Sequence, residues 1–124
     1  MIIDTNIIVA YLAGEEAVVH ALAEWRARGG FLYLPSIVEA EILSFQRLSE
    51  PECRKIEKFL EENFIFISMD RSLARKTASL RRVKKIKLPD AAIAAVAMMM
   101  KMPLMTRNKK DFKGIDDLKC ITWI

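Results

Sequence analysis

The sequence predicts an α/β fold with a largely parallel central sheet, and three observations carry the prediction. Five short apolar runs, at Met1–Asp4, Phe31–Leu34, Phe64–Ser68, Pro103–Thr106 and Cys120–Trp123, have the length and composition of buried strands. One or two segments with apolar residues at helical spacing separate the first four, the pattern of strand-helix-strand crossovers. The chain has 124 residues, 52% of them hydrophobic, which is enough for one packed core and points to one domain over residues 1–124.

Each element has a local reason. Met1–Asp4 is a strand carrying Ile2 and Ile3, and Ile7–Ala13 is a short helix that stops near Gly14. In the segment Glu15–Arg28 the residues Val18, Val19, Leu22 and Trp25 recur at helical spacing, and Gly29-Gly30 ends it. After the second strand, Pro35-Ser36 opens a helix expected to run to Leu48, and Pro51 opens another to Glu62. Asp70 is a cap for a helix over Arg71–Arg82. The basic stretch Arg81–Lys87 is a helix end and loop, and Leu88-Pro89-Asp90 begins an alanine-rich helix to Lys101.

Composition narrows the class. No apolar stretch approaches the ~20 residues that span a bilayer, and Asp4 stands where a leader would be apolar, so a cytoplasmic protein with no membrane partner is expected. Cys53 and Cys120 form no metal-binding spacing and are expected to be reduced thiols. Net charge is +4, but it is split: residues 1–70 hold 6 Lys or Arg against 12 Asp or Glu, whereas residues 71–119 hold 14 against 4. The second half therefore offers a face to a polyanion.

In open parallel sheets, ligands collect beyond the carboxyl ends of the strands, so the residues just after each strand are the ones to inspect. Asp4 ends the first strand, Asp90 starts the alanine-rich helix, and Asp111 follows the fourth strand. Each has an ordinary alternative: a helix cap for Asp4 and Asp90, an exposed loop for Asp111. Glu41 is different. At ~100° per residue it falls in the arc of Ile37, Val38, Ile42, Phe45 and Leu48, while Glu39 points away and completes an S-x-x-E capping box with Ser36. A buried-facing carboxylate needs a cation, either a Lys or Arg partner or a metal. Four carboxylates brought together would repel unless a divalent ion joined them, and oxygen ligation favours Mg²⁺, with Mn²⁺ as a substitute.

At these residues the sequence resembles the PIN-domain ribonucleases, and among them the VapC-type toxins of toxin–antitoxin pairs. The matching stretches are IIDTN after Met1, PSIVEAEIL at Pro35–Leu43, KLPDAAIAA at Lys87–Ala95 and LMTRNKKDF at Leu104–Phe112. The resemblance implies a three-layer α/β/α sandwich and Mg²⁺-dependent hydrolysis of RNA. It implies that Asp4, Glu41, Asp90 and Asp111 are the acidic quartet and metal ligands, with Asn6 and Thr106 as polar neighbours. Many relatives carry an acid where this chain has Asn108, so either Asn108 or Asp111 faces the metal, and the charge of Asp111 favours it.

The basic residues Arg81, Arg82, Lys84, Lys85 and Lys87, with Arg107, Lys109 and Lys110, are candidates for holding the RNA backbone. The resemblance further implies a homodimer and a small antitoxin protein that packs over the N-terminal helices, where Tyr11, Leu12, Trp25 and Phe45 could receive it. Met98-Met99-Met100 is either core or a dimer seam. Alternatives are a housekeeping RNA-processing nuclease and a non-catalytic nucleic-acid-binding or protein-interaction module. An aspartyl phosphatase is set aside because the second aspartate it needs is here Asn6.

Overall fold

A computed structural model describes residues 1–121; the expected strand residues Thr122 and Trp123 lie outside the described part. In chain order the elements are β1 (Ile2–Ile3), α1 (Thr5–Leu12), α2 (Glu16–Ala27), β2 (Tyr33–Pro35), α3 (Ser36–Leu43), α4 (Glu50–Asn63) and β3 (Ile65–Ile67). Then come α5 (Arg71–Val83), α6 (Leu88–Met100), β4 (Leu104–Met105), a 3-10 turn (Lys109–Phe112) and β5 (Cys120–Ile121). The five strands form one all-parallel sheet in the order β3-β2-β1-β4-β5, and the six helices complete the α/β/α arrangement.

This order sets the site. From β1 the chain steps outward to β2 and β3, then returns to β4 on the other side of β1 and continues to β5. The direction of winding reverses between β1 and β4, and a crevice opens there at the carboxyl ends of the two strands. Ile2 and Ile3 are fully buried, as expected of a central strand covered on both faces. The edge strand β3 leaves Ile65 and Phe66 about half exposed.

The core joins the sheet to all six helices, with Leu60 contributed by α4 and Leu73 and Leu80 by α5. Residues Ala91 to Ala97 of α6 are all buried, and their short side chains let that helix lie close against its neighbours. Caps behave as local rules predict: Asp70 accepts from Leu73 N at 2.8 Å. Ser49 and Glu52 form a complete capping box at the start of α4.

Three expectations are corrected. The helix from Ser36 ends at Leu43, not Leu48, because the Ser44 hydroxyl turns back to the Ala40 carbonyl and closes the last turn. Phe45 therefore leaves the buried arc and is 53% exposed. The Ser36–Glu39 capping box does not form: Pro35 is the cap residue and makes no side-chain bond. Glu39 faces away from the Glu41 cleft, as expected, and is half-buried beside Leu60 and Glu61, where burial followed by the nearby Glu61 and Glu57 raises its carboxyl pKa. Asp90 is not a cap either, since Lys87 holds that position and Asp90 sits within the first turn.

Both cysteines are unpaired. Among the described residues no single helix is long and apolar enough to cross a membrane.

Candidate active site

Asp4 follows β1 directly, and its backbone N–H still belongs to the sheet, bonding Met105 O at 3.1 Å. Its side chain is 5% exposed and fully engaged. Oδ1 accepts from Thr5 N at 2.7 Å, while Oδ2 accepts from Thr106 Oγ1 at 2.7 Å and from Asn6 Nδ2 at 3.2 Å. Asp4 is thus both the cap of α1 and a buried carboxylate aimed at the crevice. Burial raises its pKa most, and Glu41 adds to this; the bonds from Thr106, Thr5 and Asn6 oppose the rise.

Thr106 and Asn6 hold the crevice together. Thr106 is fully buried just after β4, and its Oγ1 also accepts Asn108 N at 3.0 Å. Asn6 Oδ1 accepts Arg107 N at 3.1 Å. The loop after β4 is therefore fastened to the start of α1, and each bond fixes the reach of Asn108 and Asp111 relative to Asp4.

Glu41 projects from α3 into the same crevice. Thr5 Oγ1 donates to its Oε1 at 2.6 Å. Among the described residues no Lys or Arg forms an ion pair with Glu41. Asp90 enters from the first turn of α6. Its pKa is pushed up to about 6, first by burial and then by Asp4, Asp111 and Glu41, with Lys87 working against them. That pattern of causes places four negative charges in mutual reach.

All four acids line one cleft of about 460 Å³, together with Thr5, Asn6, Glu15, Arg107 and Asn108. Asn108 and Asp111 both face it. An adjoining depression of about 260 Å³ shares Asp90 and Asp111 and adds Lys85, Lys87, Lys110 and Lys113. Acidic cleft and basic rim are thus contiguous. Of the other basic candidates, Arg81 is bonded through Nε to Ile86 O at 3.1 Å, and Arg82, Lys84 and Lys109 line neither depression. Arg107 lines the cleft but its guanidinium is held by both oxygens of Glu15 in a two-pronged ion pair.

The donor chemistry suits a hard divalent ion: the cleft offers carboxylate and neutral oxygens, and among the described residues Glu15 is the one cleft carboxylate in an ion pair. Among the described residues no three acidic, histidine or cysteine side chains are already gathered tightly enough to enclose an ion. The ligand set is open, converging on the cleft from four elements. Three polar lining residues escaped the sequence reading. Thr5 lies inside the IIDTN motif and could have been found there; Glu15 and Lys113 carry no local signal.

Comparison with known proteins places this geometry. No curated protein matches the chain significantly. Among solved structures, a chain of a toxin–antitoxin complex from Klebsiella pneumoniae is 28% identical, with a TM-score of 0.82 over 99% of this chain and 97% of that one. A chain of VapBC2 from Rickettsia felis, in complex with a promoter DNA fragment, is 26% identical, with a TM-score of 0.85 over 99% and 98%. A chain of VapBC-1 from nontypeable Haemophilus influenzae shares the fold at 23% identity, TM-score 0.82 over 98% and 96%. The family model described as PIN domain matches residues 1–118, and with that span covering every strand but β5 and every candidate acid, the chain belongs to the PIN domain family.

Proposed function

We infer that this protein is a metal-dependent endoribonuclease, one PIN-like unit over residues 1–124, acting as the toxin of a toxin–antitoxin pair. The observation that carries the reading is the convergence of Asp4, Glu41, Asp90 and Asp111 on one cleft at the reversal of the sheet, with none of the four in an ion pair among the described residues. A protein that only bound nucleic acid would gain nothing from that repulsion, which adds to burial in raising the pKa of Asp90.

These acids would hold Mg²⁺, which would supply polarisation of the scissile phosphate, a lowered pKa for a water and compensation of charge on the departing oxygen. Asp4 and Asp90 are the direct ligands in this reading, with Glu41 and Asp111 completing the set directly or through water. The remaining work belongs to the chain. Thr106 and Asn6 fix the Asp4 carboxylate, Thr5 fixes Glu41, and Lys85, Lys87, Lys110 and Lys113 hold the flanking phosphates at the rim. A carboxylate of the four also takes the proton released by the attacking water.

The partner part of the reading is supported by the toxin–antitoxin complexes among the structural relatives. Val9, Leu12 and Phe45 leave apolar surface exposed on and after α1 and α3, and a small antitoxin covering it would sit beside the cleft, which Val9 also lines. A homodimer and a cytoplasmic location complete the proposal.

The test is cleavage of a mixed RNA pool by purified protein with Mg²⁺, with EDTA and with Asp4→Asn in parallel. The reading expects cutting in the first case alone. Cutting that persists in EDTA or in the variant contradicts it.

A further inference from the structure

The acidic cleft is not the larger cavity of the molecule. One of about 970 Å³ lies at the other end of the sheet, where Pro103 leads into β4 and Lys119 into β5, whereas Asp4 and Thr106 stand where β1 and β4 end. One wall is the face of α5 that carries Ser72, Arg75, Lys76 and Ser79, residues spaced by three or four and so stacked on one side of the helix. The opposite wall is the end of α6, where Met98 and Met99 precede Lys101 and Met102.

The charge of this lining is one-sided. Arg75, Lys76, Lys101 and Lys119 face a single carboxylate, Asp117, and among the described residues none of the four cations is in an ion pair. Lys76 is half-buried. Lys101 and Asp117 are also the two non-glycine residues with left-handed backbone among those described, at φ 54° and 65°, and both line this cavity. A glycine would end α6 at Lys101 with less strain. A lysine there complements the helix carboxyl end, but that accounts for one cation of the four.

Cations beside a thioether surface fit an extended polynucleotide: phosphates meet the charges and unstacked bases lie against Met98, Met99 and Met102. A basic path leads from here to the cleft. From Arg75 to its end at Val83, α5 covers about 12 Å at ~1.5 Å per residue, and it leads to the segment that presents Lys85 and Lys87 beside Asp90.

We propose that this second cavity binds single-stranded RNA, holding the substrate several nucleotides away from the acidic cleft. The ribonuclease reading supplies the consequence, that long substrates are gripped at two places, while the binding itself is measured without catalysis.

The experiment uses a fluorescein-labelled single-stranded RNA long enough to span both places, in EDTA, with the wild type, the Arg75→Glu/Lys76→Glu double variant and Lys101→Gly. The proposal expects affinity to fall roughly tenfold or more in the double variant and a few-fold in Lys101→Gly, with a shallower salt dependence in both, since each lost phosphate contact on a single strand removes a slope of about 0.7. Lys101→Gly relieves the left-handed strain, so its loss of binding cannot be laid to unfolding. Unchanged affinity in folded variants overturns the proposal, as does a wild type that does not bind RNA. Variants that lose self-association in sedimentation while keeping RNA affinity assign the cavity to a contact between copies and overturn it too. Cleavage of a trinucleotide in Mg²⁺ separates the two readings. It depends on the cleft alone and is expected to be equal in all three proteins, so its absence from the wild type counts against the ribonuclease reading while the anisotropy still decides on the cavity.

Discussion

Thr106 Oγ1 donates a 2.7 Å hydrogen bond to Asp4 Oδ2, joining the ends of β4 and β1 across 102 residues of sequence. The same hydroxyl oxygen accepts Asn108 N at 3.0 Å, so one buried side chain sets both the central carboxylate and the loop that carries Asp111. Thr106→Val keeps the shape and removes the hydroxyl. A buried hydrogen bond to a charged group contributes about 1.5–3 kcal/mol, and losing one supporting a ligand typically costs ~10–100-fold in activity. The variant is expected to melt several degrees lower and to turn over RNA at least tenfold more slowly, measured by thermal denaturation and steady-state cleavage; Thr106→Ser is expected to recover most of both.

Asp90 gives the pH dependence. Its pKa in the fold, about 6, lies above the ordinary 3.8, so between those values the folded chain holds more protons than the unfolded chain. Stability is therefore fully present below the ordinary value and declines as pH rises through about 6. Asp90→Asn removes that decline. At pH 7.5 it is expected to be more stable than wild type by ~1–2 kcal/mol, after allowance for partial exposure, and to be inactive. The stability difference should vanish near pH 3.5, and a variant less stable than wild type at neutral pH contradicts the repulsion argument.

Glu41→Gln separates a functional carboxylate from a structural one. Glu41 accepts from the Thr5 hydroxyl, from which a glutamine carbonyl can also accept, so the fold loses little. Turnover is expected to drop by at least ~100-fold with the melting temperature within a few degrees of wild type, the signature of a group that acts on charge. Retained turnover per folded molecule, with a lower melting temperature, would assign Glu41 to packing.

The Glu15–Arg107 ion pair leads to a prediction of opposite sign. Arg107 lines the cleft but its guanidinium is occupied by Glu15, a residue on the turn between α1 and α2. Glu15→Gln frees it for phosphate. A lower KM, by a few-fold, with a steeper salt dependence is expected, while kcat is unchanged. A higher KM instead means that the pair itself shapes the binding surface.

Local rules made much of this legible. Asp70 capped α5 as expected, and every strand before the last fell within two residues of its apolar run, because caps and buried strands depend on neighbours in sequence. Glu41 was found by its place on a helical wheel, and the wheel still misplaced Phe45, because the hydroxyl of Ser44 stops the helix and no periodicity encodes that choice. The capping box was misread for a similar reason: the S-x-x-E pattern at Ser36 is real, but Pro35 takes the cap and α4 brings Glu57 and Glu61 alongside Glu39. The Glu15–Arg107 pair, 92 residues apart, and the cavity between α5 and α6 arise from the packing of distant segments and leave no mark in either stretch alone.

The central claim is that the four acids hold a divalent cation, and titration of Mn²⁺ into the protein by calorimetry tests it most directly, with thermal denaturation alongside. Wild type is expected to bind, and to gain about 2.7 kcal/mol of stability at a hundred times the dissociation constant. Asp4→Asn and Asp90→Asn should each lose the binding heat and the thermal gain while remaining folded. Binding of equal strength in both folded variants, or no binding by the wild type, contradicts the account.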